Sequence, residues 1–282
     1  MTEPQAFASG ADVAVRLPEP ERLFELRAAR LAALAPAHGM PEWLRLLSRV
    51  SEGQAAAVRE IRPIAPPGGG GRPLDPGAPP RDDAWRRMLA VVVAASWGPG
   101  LPAATQEMLR LLEAAGPADL EGLAGAVLAG DVPQAQVAAA PFVGAALQAW
   151  LAALAAGLDP AALPPADGAC PACGGPPVAG RVRRIDRRRD VTCALCATEW
   201  NVPRVRCAVC DTSASPEYFH VDAEPGVKAE ACPTCRSYLK LFDEERRPGA
   251  EPAADDAATL TLDLLLAEEG FHRAGPNLFV GG

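Results

Sequence analysis

Four short runs, CPAC at 170–173, CALC at 193–196, CAVC at 207–210 and CPTC at 232–235, contain all 8 cysteines of the 282-residue chain. Two residues between cysteines let both sulfurs of a turn point at one ion, so each run is half of a tetrahedral site. Four halves make two sites. A Cys-x-x-Cys run used for thiol–disulfide exchange needs a helix N-terminus that lowers one thiol's pKa within a strand–helix–strand unit. No such pattern surrounds any of the four runs. Metal ligation is therefore the reading for Cys170, Cys173, Cys193, Cys196, Cys207, Cys210, Cys232 and Cys235.

The gaps between runs suggest how they pair. Nineteen residues separate Cys173 from Cys193, 21 separate Cys210 from Cys232, and only ten separate Cys196 from Cys207. The first gap lies within the zinc-ribbon range and the second slightly beyond it. The simplest assignment is sequential, runs one and two forming one site and runs three and four the other. A cross-braced pairing, first with third and second with fourth, is also compatible with the spacing. Gly174-Gly175 permits a tight continuation past the second ligand. Sulfur ligands alone accommodate zinc or iron.

Between the first two runs lies RVRRIDRRR, with Arg181, Arg183, Arg184, Arg187, Arg188 and Arg189. By itself it suggests nucleic acid. Residues 170–247, however, hold thirteen basic and eleven acidic side chains, and a divalent ion on four thiolates carries a net charge of −2. No aromatic residue interleaves the run as a stacking platform. Charge compensation or contact with a protein partner is the better account. The chain's net charge of −8 also argues against sequence-independent nucleic-acid binding.

Outward from the cysteines, the first 160 residues read as an all-helical domain. Residues 1–18 look disordered or extended. Leu23, Leu26, Arg30, Leu31 and Leu34 recur at helical spacing, and Pro41 opens a second helix carrying Trp43, Leu44, Leu47, Val50 and Val58. PIAPPGGGGRPLDPGAPP at 63–80 is a flexible linker or loop. Further helices are expected from Asp82 or Asp83 to Trp97, over 105–115 and 118–129, and over 133–157 with a bend near Pro141. That last stretch carries no charge from Val132 to Leu158, but its glutamines, prolines and alanines fit a buried helix better than a membrane span. Trp43, Trp85, Trp97 and Trp150 read as core.

Beyond a boundary at 160–168, residues 168–248 should form two tandem metal modules, with short β-prone pieces at 178–185, 191–192, 200–205, 218–221 and 227–231. Residues 252–282 should form a last helix and tail, with Asp255 and Asp256 as caps. His38, His220 and His272 are isolated in sequence, and His220 reads as a strand residue. MTEPQAFASGADVAV lacks a basic segment followed by an apolar run, so a secretory leader is not expected and a reducing cytoplasmic setting is. No nucleophile elbow, phosphate loop or HExxH is present.

The runs CPACGGPPVAG (170–180), CALCATEWNVPRVRCAVC (193–210) and KAEACPTCRSYLK (228–240) resemble the formate dehydrogenase accessory protein family, FdhE. DDAATLTLDLLLAEEGFHRAGPN (255–277) resembles it as well, and LFELRAARLAALAPAHGMPEWLRLLSRV (23–50) more loosely. The resemblance implies an α+β multidomain fold, a helical N-terminal domain followed by two small rubredoxin-like or zinc-ribbon-like modules. It implies a cytoplasmic maturation factor, not an enzyme, that contacts the catalytic subunit of a respiratory formate dehydrogenase. Two metal ions per chain are expected, iron favoured and zinc the alternative. Neither nucleic acid nor stable membrane insertion is expected, and a homo-oligomer stays open. The alternatives are a zinc-ribbon nucleic-acid protein and a rubredoxin-like electron donor.

Overall fold

The computed structural model describes residues 15–64, 71–77, 81–166 and 168–280. The expectation for residues 1–14, and those for 65–70 and 78–80 within the Gly/Pro stretch, fall outside them. Six α-helices fill the first half of the described chain: α1 (Pro20–Leu34), α2 (Pro41–Glu60), α3 (Ala84–Ser96), α4 (Ala103–Ala114), α5 (Pro117–Ala129) and α6 (Ala140–Ala155). Proline stands in the first turn of α1, α2, α5 and α6, where its missing N–H removes no intrahelical bond. Pro141 therefore opens α6, and the expected bend is absent. α6 is buried along almost its whole length at the centre of the helical layer. Among the described residues no helix is long and apolar enough to cross a membrane.

Two glycines and one arginine set the helix packing. A Cβ on Gly53 would lie 2.8 Å from the Val92 backbone, so α2 and α3 cross where only glycine fits. On α1 the buried residues are Phe24, Arg27, Ala28 and Leu31, while Leu26 is exposed. The stripe is rotated from the leucine pattern because α1 buries a charge. Arg27 meets Glu251 at 2.8 Å and its guanidinium lies over the Phe24 and Phe279 rings. Gly144 on α6 lets the tail residue Leu278 pack against it, since a Cβ there would come within 2.9 Å of Leu278 Cβ.

One sheet joins both cysteine regions. Its strands are β1 (Val15–Arg16), β2 (Pro177–Val182), β3 (Arg189–Cys193), β4 (Glu199–Asn201), β5 (Glu217–Phe219), β6 (Val227–Ala231), β7 (Ser237–Asp243) and β8 (His272–Arg273). The order is β1-β4-β3-β2-β7-β6-β5, with β8 beside β7. β2 and β7 pair in parallel, Gly180 opposite Leu241, and this pairing fuses the halves. Seven-residue β7 is the longest strand and escaped the sequence reading. Leu239 and Leu241 belong to the main core shared with the helices, while Tyr238 and Phe242 belong to a smaller core with Leu262 and Leu266. A strand buried on both faces shows no polar–apolar alternation, and Lys240 within it disguises the burial.

The C-terminal region is split into α7 (Pro252–Ala257) and α8 (Leu260–Glu268). Asp255 and Asp256 do not cap the last helix: both are buried within α7, whose cap is Glu251, accepting from Ala254 N–H at 2.7 Å. Asp255 receives a bidentate pair from Arg30 at 2.7 and 2.9 Å. Asp256 accepts from Arg273 at 2.7 Å and Asn277 at 2.8 Å and lies 3.1 Å from Lys240, which is fully buried and also 2.7 Å from Asp263. Burial alone would raise the Asp256 pKa, but Lys240 and Arg273 hold it below the ordinary 3.8.

Arg189 fastens the two halves of the sheet. It is buried on β3, pairs with Glu230 of β6, and donates to the carbonyls of Val202 at 3.2 Å and Pro203 at 2.7 Å. Removing one partner of a buried pair strands the other charge. Arg189→Ala should lower unfolding free energy by about 3–5 kcal/mol in chemical denaturation, whereas exposed Arg184→Ala should change it by less than about 0.5 kcal/mol. For Asp256 the depressed folded pKa means stability present above the unfolded value and lost as pH falls through the folded one. The stability difference between wild type and Asp256→Asn should therefore shrink below about pH 4 in acid titrations.

Candidate metal centres

All four cysteine turns close by one backbone pattern. The first cysteine's N–H donates to the carbonyl five residues on: Cys170 to Gly175 at 2.9 Å, Cys193 to Thr198 at 2.9 Å, Cys207 to Thr212 at 2.8 Å and Cys232 to Ser237 at 2.8 Å. The residue after each second cysteine is left-handed: Gly174 at φ 76°, Ala197 at 58°, Asp211 at 56° and Arg236 at 59°. Three of these are not glycine. Each costs roughly 1–2 kcal/mol of backbone strain that the surrounding turn sustains.

The turns pair sequentially. Cys170, Cys173, Cys193 and Cys196 form one group and Cys207, Cys210, Cys232 and Cys235 the other, the sulfurs of each within 4.8 Å of one another. The cross-braced pairing does not occur. Nearest sulfurs are 3.5 Å apart in the first group and 3.8 Å in the second, and none of the eight cysteines forms a disulfide. Backbone N–H groups of Gly175, Leu195 and Val209 each lie 3.4 Å from a cysteine sulfur. Cys196 Sγ donates to Thr198 Oγ1 at 3.1 Å, and Cys235 Sγ and Ser237 Oγ lie 2.9 Å apart. Donors aimed at sulfur favour thiolate, and four sulfurs without oxygen or nitrogen ligands fit a soft ion such as zinc or iron.

Proton sharing follows from the crowding. Hydrogen bonds from Cys173, Cys193 and Cys196 drive the Cys170 pKa far down, while burial drives Cys193 and Cys196 up. In the second group burial pushes Cys207 up to about 12. Burial acts the same way on Cys232, but N–H groups of Cys235 and Thr234 bring it to about 7. A few thiolates are stabilised by neighbours that keep their protons, and a cation can take the place of those protons.

Residues far away in sequence roof the first group. Arg72 Nη1 donates to Cys170 O at 2.8 Å, and Leu74 N–H donates to Ala172 O at 3.0 Å with its side chain buried. Gln148 of α6 donates to Ala194 O at 2.7 Å and accepts from Arg27. The proline-rich setting hid Leu74, and a lone glutamine in an alanine helix carries no signal. Glu199 pairs with both Arg16 and Arg181, and Trp200 is core. His38, His220 and His272 lie outside both groups, and His220 sits just past β5.

The arginine run does not form one patch. Arg181 lies between Glu199 and Glu244, Arg183 beside Asp186 and Asp190, and Arg187 against Asp243 at 2.6 Å and Glu245 at 3.3 Å. Arg189 is internal, as described. Arg184 and Ile185 are exposed at the turn between β2 and β3, Ile185 at 84%, and Arg188 is half-buried beside them.

Family models described as FdhE N-terminal, central and C-terminal domains match residues 13–167, 169–204 and 205–280. A protein FdhE homolog of Pseudomonas putida is 38% identical, the alignment covering 92% of this chain and 87% of that one. Protein FdhE of Escherichia coli is 32% identical over 93% of this chain and 89% of that one. The crystal structure of the FdhE protein from Pseudomonas aeruginosa superposes with a TM-score of 0.83 at 33% identity, covering 95% of this chain and 100% of that chain. With three successive domain models and relatives matched over nearly their full length, the chain belongs to the FdhE family.

Proposed function

We propose that this chain is a cytoplasmic accessory factor for a respiratory formate dehydrogenase, binding the catalytic subunit during its maturation and not itself an enzyme. The observation that carries the reading is the likeness to FdhE proteins along the whole chain, with all eight cysteines gathered into two four-sulfur groups. Cys170, Cys173, Cys193 and Cys196 hold one metal ion and Cys207, Cys210, Cys232 and Cys235 a second. Iron is the favoured metal. When bound by four thiolates, iron supplies a one-electron couple, whereas zinc is purely structural. The protein's own part is to bend the four turns, aim N–H donors at sulfur, and keep the sulfurs together.

The surface for the catalytic subunit is the turn between β2 and β3. Of the arginine run, Arg181 and Arg189 brace the sheet from within, Arg183 and Arg187 are engaged by acidic neighbours, and Arg184 and Ile185 are exposed side by side at the turn. An exposed apolar side chain beside an exposed guanidinium suits a protein face with an acidic residue next to a hydrophobic spot.

Tagged chain should capture the formate dehydrogenase catalytic subunit of its own organism. Arg184→Glu with Ile185→Asp, both exposed, should weaken capture by about tenfold, equal to 1.4 kcal/mol, without altering thermal stability. No capture by the wild type would overturn the accessory reading, and unchanged capture by the double variant would overturn the surface. Protein purified without added metal should carry two irons per chain with a red ferric spectrum. Two zinc ions and no colour would overturn the choice of iron.

A further inference from the structure

We propose that the two centres differ in kind: the second, at Cys207, Cys210, Cys232 and Cys235, is an exchange site that an incoming thiolate or chelating ligand reaches without unfolding the chain, whereas the first is a sealed fastening. The inference rests on the reading of these cysteines as metal ligands and goes beyond it by assigning the two groups separate roles.

Burial separates them. The four sulfurs of the first group belong to residues between 0% and 5% exposed, and all four sit in the main apolar core with Leu74, Ala172, Leu195 and Trp200. Carbonyls on both of its turns are tied down by Arg72, Leu74 and Gln148. A ligand can approach an ion there only after the helical layer and the sheet separate. In the second group Cys210 is exposed, Cys207 and Cys235 are half-buried, and only Cys232 is buried. None of the four belongs to either apolar core. Val205 and Val209 beside them are exposed, and Cys207 and Cys232 line a recess of about 20 Å³, room for one water.

Exposure at Cys210 defines the order of events. At an ion held by the second group, an incoming thiolate would supply the lone pair for a new sulfur–metal bond while Cys210, the exposed ligand, would give up its own as a thiolate, with no change of oxidation state. At the first group the same substitution must wait for local opening, a step drawn from the high-energy end of the protein's fluctuations.

The test uses full-length protein loaded with two zinc ions per chain and mixed with excess 4-(2-pyridylazo)resorcinol, with iodoacetamide labelling followed in parallel by mass spectrometry. One ion should leave at least about a hundredfold faster than the other. Labels should appear first on Cys207, Cys210, Cys232 and Cys235, with the first-group cysteines protected. Cys210→Ser should abolish only the fast phase. Both ions leaving in one phase, or labels appearing first on Cys170 to Cys196, would overturn the proposal, and the wild-type labelling map decides this even if the variant does not fold. Protein that retains no zinc at all would instead refute the metal reading on which the proposal stands.

Discussion

Everything in the second half of the molecule depends on holding four thiols within 4.8 Å, twice. Each group closes a loop of about twenty residues, which costs roughly 3 kcal/mol of chain entropy. The turns add three non-glycine residues in left-handed conformation. Neither disulfides nor a carboxylate ligand helps. A soft cation held by four sulfurs would supply binding energy well above these costs.

Helices and sheet are held by a short chain of buried polar contacts rather than by apolar packing alone. Glu251 pairs with Arg27, Arg27 donates to Gln148, and Gln148 donates to Ala194 O within the second cysteine turn. The first group is therefore a junction between α1, α6, α7 and the sheet. Arg189–Glu230 and Lys240–Asp256 play the same part between the sheet halves and beneath α8. Such pairs contribute little net stability over an apolar core, but they fix which groups meet. The second group lies outside both apolar cores, with Cys232 and Cys235 on the turn joining β6 and β7 and Cys207 next to Arg206, whose carbonyl Arg189 also holds.

The cysteine pairing and the helical first half were legible in the sequence because they are local or short-range facts. Cys-x-x-Cys spacing dictates its own geometry, and proline marks the helix starts at Pro20 and Pro41, whereas Pro141 reads as a bend and in fact opens α6. What escaped were charges that fold inward. Arg189 reads as a contact residue and Asp255 and Asp256 as caps, Arg27 and Lys240 carry no reading, and each of the five is buried against a partner 16 to 225 positions away. Composition cannot show that pairing. The same blindness hid β7 and Leu74, whose burial is decided by elements far off in the chain. The arginine run shows the converse: six basic residues in nine positions suggested a patch, and the acidic residues of β4, β6 and the 243–245 turn divide it.

The central claim is that each four-sulfur group is the complete coordination shell of one metal ion. X-ray absorption at the metal edge, on protein purified from cells grown without added metal, measures it directly. The account predicts two ions per chain, each with four sulfur neighbours near 2.3 Å and no lighter ligand. A shell containing nitrogen or oxygen, or a single ion shared by one chain, would contradict it.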